Sequence, residues 1–207
     1  MGDTSDTISL PPPAVAGGHG LKQLLHQRRS VRAFTPSPLT LADLGQLLWA
    51  AQGITDRGGL RSAPSAGALY PLELYIAAGR IAGLAPGVYH YDPKSHALER
   101  IGDADVRKAL ARAALHQAWV GNAPAVVVFA AVYARTERKY GERAERYIPI
   151  EIGHAAENLF LQAEDLALGT VPVGAFDDGA VARVLGLPVS VAPLLLMPVG
   201  HPAGAEH

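Results

Sequence analysis

The chain has 207 residues, no cysteine and a formal net charge of −1. The lack of cysteine excludes disulfides, thiolate metal sites and cysteine nucleophiles, and the balanced charge argues against a general nucleic-acid binder. With 49% hydrophobic and 18% charged residues, a chain of this length can fill the core of a globular protein.

Met1 to Ser9 is acidic and polar, which is not the pattern of a secretory signal. The longest apolar run, Ala123 to Ala134, contains Pro124 and is too short to span a bilayer as a helix. A cytoplasmic protein without a membrane partner is therefore expected. Residues 1–18, with Pro11-Pro12-Pro13 followed by Gly17-Gly18, read as a flexible arm. Residues 19–207 read as a single domain. Leu21 to Arg29 has a helical pattern, and Thr35 to Pro38 is a loop. Thr40 opens a second helix, with Asp43 as its capping partner, and Gly53 closes it. A long loop from Thr55 to Tyr70 leads to strands at Leu72–Ala78, Val88–Tyr91 and Ala97–Ile101, the last two joined by an Asp92–Ser95 turn. Asp103 is expected to cap a helix that ends before Gly121. Ala125 to Tyr133 is a β-branched apolar run, as in a strand buried on both faces. A long helix runs from about Glu145 to Leu168 and stops at Gly169, its apolar positions recurring at three- and four-residue steps. Asp177 or Asp178 caps a short helix that ends at Gly186, and Val191–Val199 is a last strand whose Pro193 suggests a late start or an edge. Helices and strands mix without a strict βαβ rhythm. The expected fold class is α+β, a mixed or antiparallel sheet surrounded by helices.

Four segments are candidates for chemistry. In Arg28-Arg29-Ser30-Val31-Arg32, an extended chain puts Ser30 and Arg32 on one side, and Arg28 can converge with them. Guanidiniums and a hydroxyl aimed at one point suit phosphate; the alternative is a helix C-terminus decorated with cations. The loop Pro64-Ser65-Ala66-Gly67-Ala68 offers small residues whose backbone N–H groups can approach a flat ligand. Thr170-Val171-Pro172-Val173-Gly174-Ala175-Phe176 has the same character, and a plain helix-to-strand connector is its alternative. Lys139-Tyr140 pairs two proton carriers, with a solvated charged turn as the alternative. Glu151, His154, Asn158 and Gln162 form a polar stripe on the long helix, best read as a hydrogen-bonded face or a dimer surface. It lacks the further carboxylates a metal pair would need. No metal is expected, and no standard nucleotide loop is present.

Taken in order, Arg28–Arg32, Pro64–Pro71, Arg146-Tyr147 with Glu151–His154 and Asn158, Gly169–Phe176 and Met197–Pro202 resemble the nitroreductase superfamily, and within it the SagB-type dehydrogenase branch. The resemblance covers roughly residues 21–202. It implies an FMN-dependent oxidoreductase built as an intertwined homodimer, with two active sites at the subunit interface. Arg28, Arg29, Ser30 and Arg32 would hold the FMN phosphate and the pyrimidine edge. The Pro64, Ser65, Ala66, Gly67 and Ala68 loop would come from across the interface, and Pro172, Val173, Gly174 and Ala175 would line the ring. Two departures stand out: Ala68 replaces an asparagine common in the family, and His201 is the one basic candidate near the end of the last strand. The branch implies oxidation of a peptide thiazoline or oxazoline to the thiazole or oxazole, with Lys139 as base and Tyr140 as relay. Oxygen would reoxidise the flavin. The alternatives are an NAD(P)H-dependent reductase of nitroaromatics or quinones, and a non-catalytic flavin-binding scaffold subunit.

Overall fold

The most apolar segment lies at the centre of the molecule. In the computed structural model, which describes residues 7–204, Ala125–Ala131 forms strand β5, and every one of its side chains is buried. On one side it pairs with β2 (Leu72–Ala78), and on the other with β7 (Ala192–Gly200). Next to β2 come β3 (Gly87–Asp92), β4 (Ala97–Gly102) and β1 (Thr7–Ser9); β6 (Gly169–Thr170) lies outside β7. The seven strands follow the order β1-β4-β3-β2-β5-β7-β6, and all neighbours are antiparallel.

Alternation along β2 and β5 sorts side chains to two faces. Leu74, Ile76, Val127 and Phe129 meet α2 (Leu41–Gln52) and α6 (Ala144–Asp165). Tyr75, Ala77, Val126 and Val128 face α3 (Arg107–Ala113), α4 (Ala118–Asn122) and α7 (Asp178–Leu185). Each large side chain so buried contributes roughly 1.5–3 kcal/mol. The remaining helices are α1 (Leu21–Gln27) and α5 (Ala134–Tyr140).

Local signals account for several boundaries. Thr40 and Asp43 form the expected capping box on α2, and Asp177 caps α7, which ends at Gly186 with φ 67°. Four expectations are corrected. Asp103 caps nothing; it pairs with Arg100, and α3 begins at Arg107. The single helix expected up to Gly121 is two, because Leu115 and His116 take left-handed conformations (φ 53° and 60°). The α6 helix stops at Asp165, where Ala167 rather than Gly169 turns left-handed. Gly169 instead lets Val31 approach, since a Cβ there would lie 2.6 Å from the Val31 Cβ. Finally, β7 is an internal strand. Pro193 is tolerated because it sits beside a register shift in β5, at an end that the two-residue β6 does not reach.

Residues 1–6 of the expected arm and 205–207 of the expected domain lie outside the described residues. From Thr7 the chain pairs with β4. Ala14 and Gln46 then exchange two hydrogen bonds, and His19 N–H donates to Asp165. Among the described residues no helix is long and apolar enough to cross a membrane.

Candidate active site

The predicted site residues gather into two groups. The first is built around β6. Ser30 lies alongside Thr170 in a parallel bridge, and Val31 N–H donates to the Thr170 carbonyl at 2.9 Å. Val31 turns inward while Ser30 and Arg32 are exposed on the other side, as extended geometry requires. Arg28, at the end of α1, lays its guanidinium 4.4 Å from the Phe160 ring centroid, and its Nε is 3.8 Å from Glu157. Arg32 stands 5.8 Å from the Trp119 ring. Past β6, Val173 is buried and bridged to Leu196, while Pro172, Gly174 and Ala175 stay exposed. Gln117 Nε2 donates to the Ala175 carbonyl at 2.9 Å, which ties this segment to the start of α4 and so to Trp119.

Two predicted members stand apart. Arg29 curls back on its own helix, donating to the carbonyls of His26 and Arg28. His201 places Nε2 3.3 Å from the Pro38 carbonyl. The first group also contains Trp119, which no motif marked, and Thr170, the first residue of the Thr170–Phe176 candidate segment. Thr170 Oγ1 and Trp119 Nε1 are buried without a hydrogen-bond partner. Such groups are costly unless something accepts from them. Two guanidiniums, two hydroxyls and an indole N–H make a donor set suited to an anion with further acceptor atoms, and FMN has that chemistry.

The second group surrounds the Pro64–Ala68 loop. Ala66–Ala68 is a 3-10 turn, and Gly67, Ala68 and Tyr70 all have positive φ (64°, 54° and 46°). Only glycine adopts that region without strain. Lys139 and Tyr140 close over the turn: a Cβ on Gly67 would lie 2.8 Å from Tyr140 Oη and 2.9 Å from Lys139 Nζ. The Lys139 ammonium is 5.4 Å from the Tyr140 ring, which packs edge-on against Tyr147. Pro64, Ser65, Ala66, Tyr147, Glu151 and His154 line a cleft of about 270 Å³.

Glu151, read from the sequence as part of a polar stripe and given no role in the site, lies in this group. Its side chain is buried, and Oε2 accepts from Ser65 Oγ at 2.6 Å. Burial pushes its carboxyl up to about 7, against the opposing pull of the Ser65 hydrogen bond and the Arg61 charge. The signal was available, because Glu151 is three residues after Ile148 and four before Ala155, on the apolar stripe. Behind the loop, Arg135 donates to the Tyr70 carbonyl and pairs with Glu73, whose other oxygen is 2.6 Å from His90 Nε2. Burial alone would raise the Glu73 pKa, but His90 and Arg135 outweigh it and hold the carboxyl below its ordinary range. Among the described residues no three His, Asp or Glu side chains are grouped to hold a metal.

The two groups lie along different stretches of α6. Glu151 belongs to one and Phe160 to the other, nine residues apart, or about 14 Å of helix.

The Nitroreductase family profile matches residues 25–201. A nitroreductase-family protein of Methanocaldococcus jannaschii is 47% identical over 97% of this chain and 98% of its own. The microcin B17-processing protein McbC of Escherichia coli is 27% identical over 76% of this chain and 61% of its own. The NAD(P)H-dependent FMN reductase of Bacillus subtilis is 25% identical over 86% and 64%. Among solved structures, a nitroreductase-family protein from Ralstonia eutropha superposes with a TM-score of 0.85 at 33% identity, covering 98% of this chain and 93% of that one. The E. coli microcin synthetase McbBCD, with truncated pro-MccB17 bound, gives 0.74 at 25% identity, covering 94% and 78%.

Proposed function

The chain belongs to the nitroreductase family and is an FMN-dependent oxidoreductase, and from that premise we propose that it is a SagB-type dehydrogenase oxidising a peptide thiazoline or oxazoline to the aromatic azole. The observation that carries this reading is the position of Lys139 and Tyr140, a proton-carrying pair held directly over the Gly67 turn. The likeness to McbC supports it from the side of substrate class.

In this reading FMN supplies the hydride acceptor, its N5. Arg28, Ser30 and Arg32 donate to the phosphate and the pyrimidine edge, with Thr170 and Trp119 as further donors. Arg29, folded back on α1, adds charge to that region. Pro172–Ala175 line the ring. The Pro64–Ala68 loop comes from a second copy of the chain, which joins the two groups that one copy keeps apart. Lys139 takes the ring proton of the azoline, and Tyr140 orients or relays it. Residues 19–207 act as the cofactor-binding unit of a homodimer.

A second reading, an NAD(P)H-dependent reductase of nitroaromatics or quinones, draws on the B. subtilis relative. The visible spectrum of the purified protein, recorded before and after anaerobic NADPH addition, separates the two. A flavin spectrum that NADPH leaves unbleached, with azoline peptide turnover that Lys139→Ala abolishes while FMN stays bound, is expected. Rapid bleaching would move the assignment to the reductase. Bound flavin with no turnover, and no effect of Lys139→Ala, would leave a scaffold subunit. A chain that neither carries nor takes up FMN would end the reading.

A further inference from the structure

The loop between Ser65 and Pro71 holds a conformation its own sequence does not favour. Ala68 and Tyr70 are non-glycine residues with φ of 54° and 46°, and such conformations persist only where surrounding contacts over-determine them. Those contacts can be traced. Ser65 Oγ accepts from Tyr70 N–H at 2.9 Å and donates to Glu151 Oε2 at 2.6 Å. A hydroxyl has one proton, so committing it to Glu151 leaves its lone pairs aimed at the Tyr70 amide. At the following peptide unit, Arg135 Nη1 donates to the Tyr70 carbonyl at 3.0 Å. The Tyr70 ring lies 4.6 Å from the Arg61 guanidinium, and its hydroxyl accepts from Arg61 N–H at 3.3 Å. Tyr70 is thus gripped at its amide, its carbonyl and its ring.

Glu151 differs from the other anchors. It comes from α6, a rigid element, and it is 3% exposed. Its Oε1 is buried without a partner. An apolar residue at this helix position would complete the stripe of Ile148, Ile152 and Ala155 at lower desolvation cost. The single hydrogen bond to Ser65 is therefore what the buried carboxyl provides.

We propose that Glu151 is a positioning residue: through Ser65 Oγ it locks the Gly67–Tyr70 turn in the left-handed conformation that sets Gly67 beneath Lys139 and Tyr140. The consequence for cofactor binding rests on the reading above that this loop meets FMN; the lock itself does not. One carboxyl oxygen of Glu151 accepts from Ser65, as an amide carbonyl can, so glutamine substitutes for it and alanine does not.

The test is backbone amide exchange across residues 65–71 in the full-length protein, with and without FMN, together with the FMN dissociation constant from fluorescence quenching. Glu151→Ala and Ser65→Ala should each speed exchange of the Tyr70 amide by about tenfold or more. They should weaken FMN by a similar factor, with the double variant no worse than either single one. Glu151→Gln should retain wild-type exchange and affinity. Ser65→Ala removes a half-buried loop hydroxyl and leaves α6 unchanged in sequence, so it reports even where Glu151→Ala destabilises that helix. Wild-type exchange in Ser65→Ala, or full additivity of the two substitutions, would overturn the proposal. Faster exchange with unaltered FMN affinity would support the lock and overturn the loop's role at the flavin.

Discussion

At the residue scale, the second group joins two distant parts of the chain, the Pro64–Tyr70 loop and the Ala134–Asp165 helices. Ser65 bonds to Glu151 of α6, while Lys139 at the end of α5 lies against Gly67 of the same loop. Glu151 gives this site a pH signature. Its carboxyl ordinarily titrates near 4.5, and in the folded protein near 7. The native state therefore binds the proton more tightly than the unfolded chain. The stabilisation is complete below the lower value and is lost as pH rises through the higher one. Glu73 runs the opposite way: its lowered carboxyl stabilises above the ordinary value and loses that contribution as pH falls. Thermal melts of wild type and Glu151→Gln between about pH 5 and pH 8 should diverge. The wild type should lose a few degrees relative to the variant across that span. Parallel curves would mean that Glu151 titrates normally. Of the residue-level site, the Arg28–Arg32 stretch and the Lys139-Tyr140 pair stood out in the sequence by residue type, and the structure places the first beside β6 and the second over the Gly67 turn. Trp119 was not legible, because nothing in its neighbourhood distinguishes it from an ordinary packing residue, and Thr170 stood at the head of a candidate segment without a role of its own. Only packing reveals that their polar atoms are left without partners.

At the element scale, the boundaries that were legible are those closed by local chemistry. The Thr40–Asp43 box is formed by two hydrogen bonds of 3.0 and 2.9 Å between residues three apart. Thr40→Ala should cost about 1 kcal/mol, lowering the melting temperature by about 2–4 °C for a chain of this size. Asp43→Ala should cause a similar loss, and no change in either would show that α2 is held by packing alone. Where expectation failed, a tertiary contact had taken over. Gly169 looked like a helix stop and is instead a point of close approach for Val31. Asp103 looked like a cap and is drawn to Arg100 across the end of β4. The break at Leu115 and His116 carries neither glycine nor proline, so no local rule marks it.

At the scale of the whole molecule, a second copy would complete what one copy separates. On the exposed side of α6, Pro149, Ile150, Gly153 and His154 form a stripe flanked by charged residues, and Ile150 is 51% exposed. If this face carries the proposed homodimer, Ile150→Glu should shift the protein from dimer to monomer in analytical ultracentrifugation and release FMN in parallel. A variant that stays dimeric would move the interface elsewhere. The α+β class and the central position of β5 were determined by the sequence, because periodicity and an unbroken apolar run need no distant partner to be read. The strand order β1-β4-β3-β2-β5-β7-β6, the division of the site residues into two groups along α6, and the burial of Glu151 under Ser65 were decided by tertiary structure. Each depends on which segments, far apart in the chain, exclude water from between them. That choice is a property of the assembled core rather than of any local stretch.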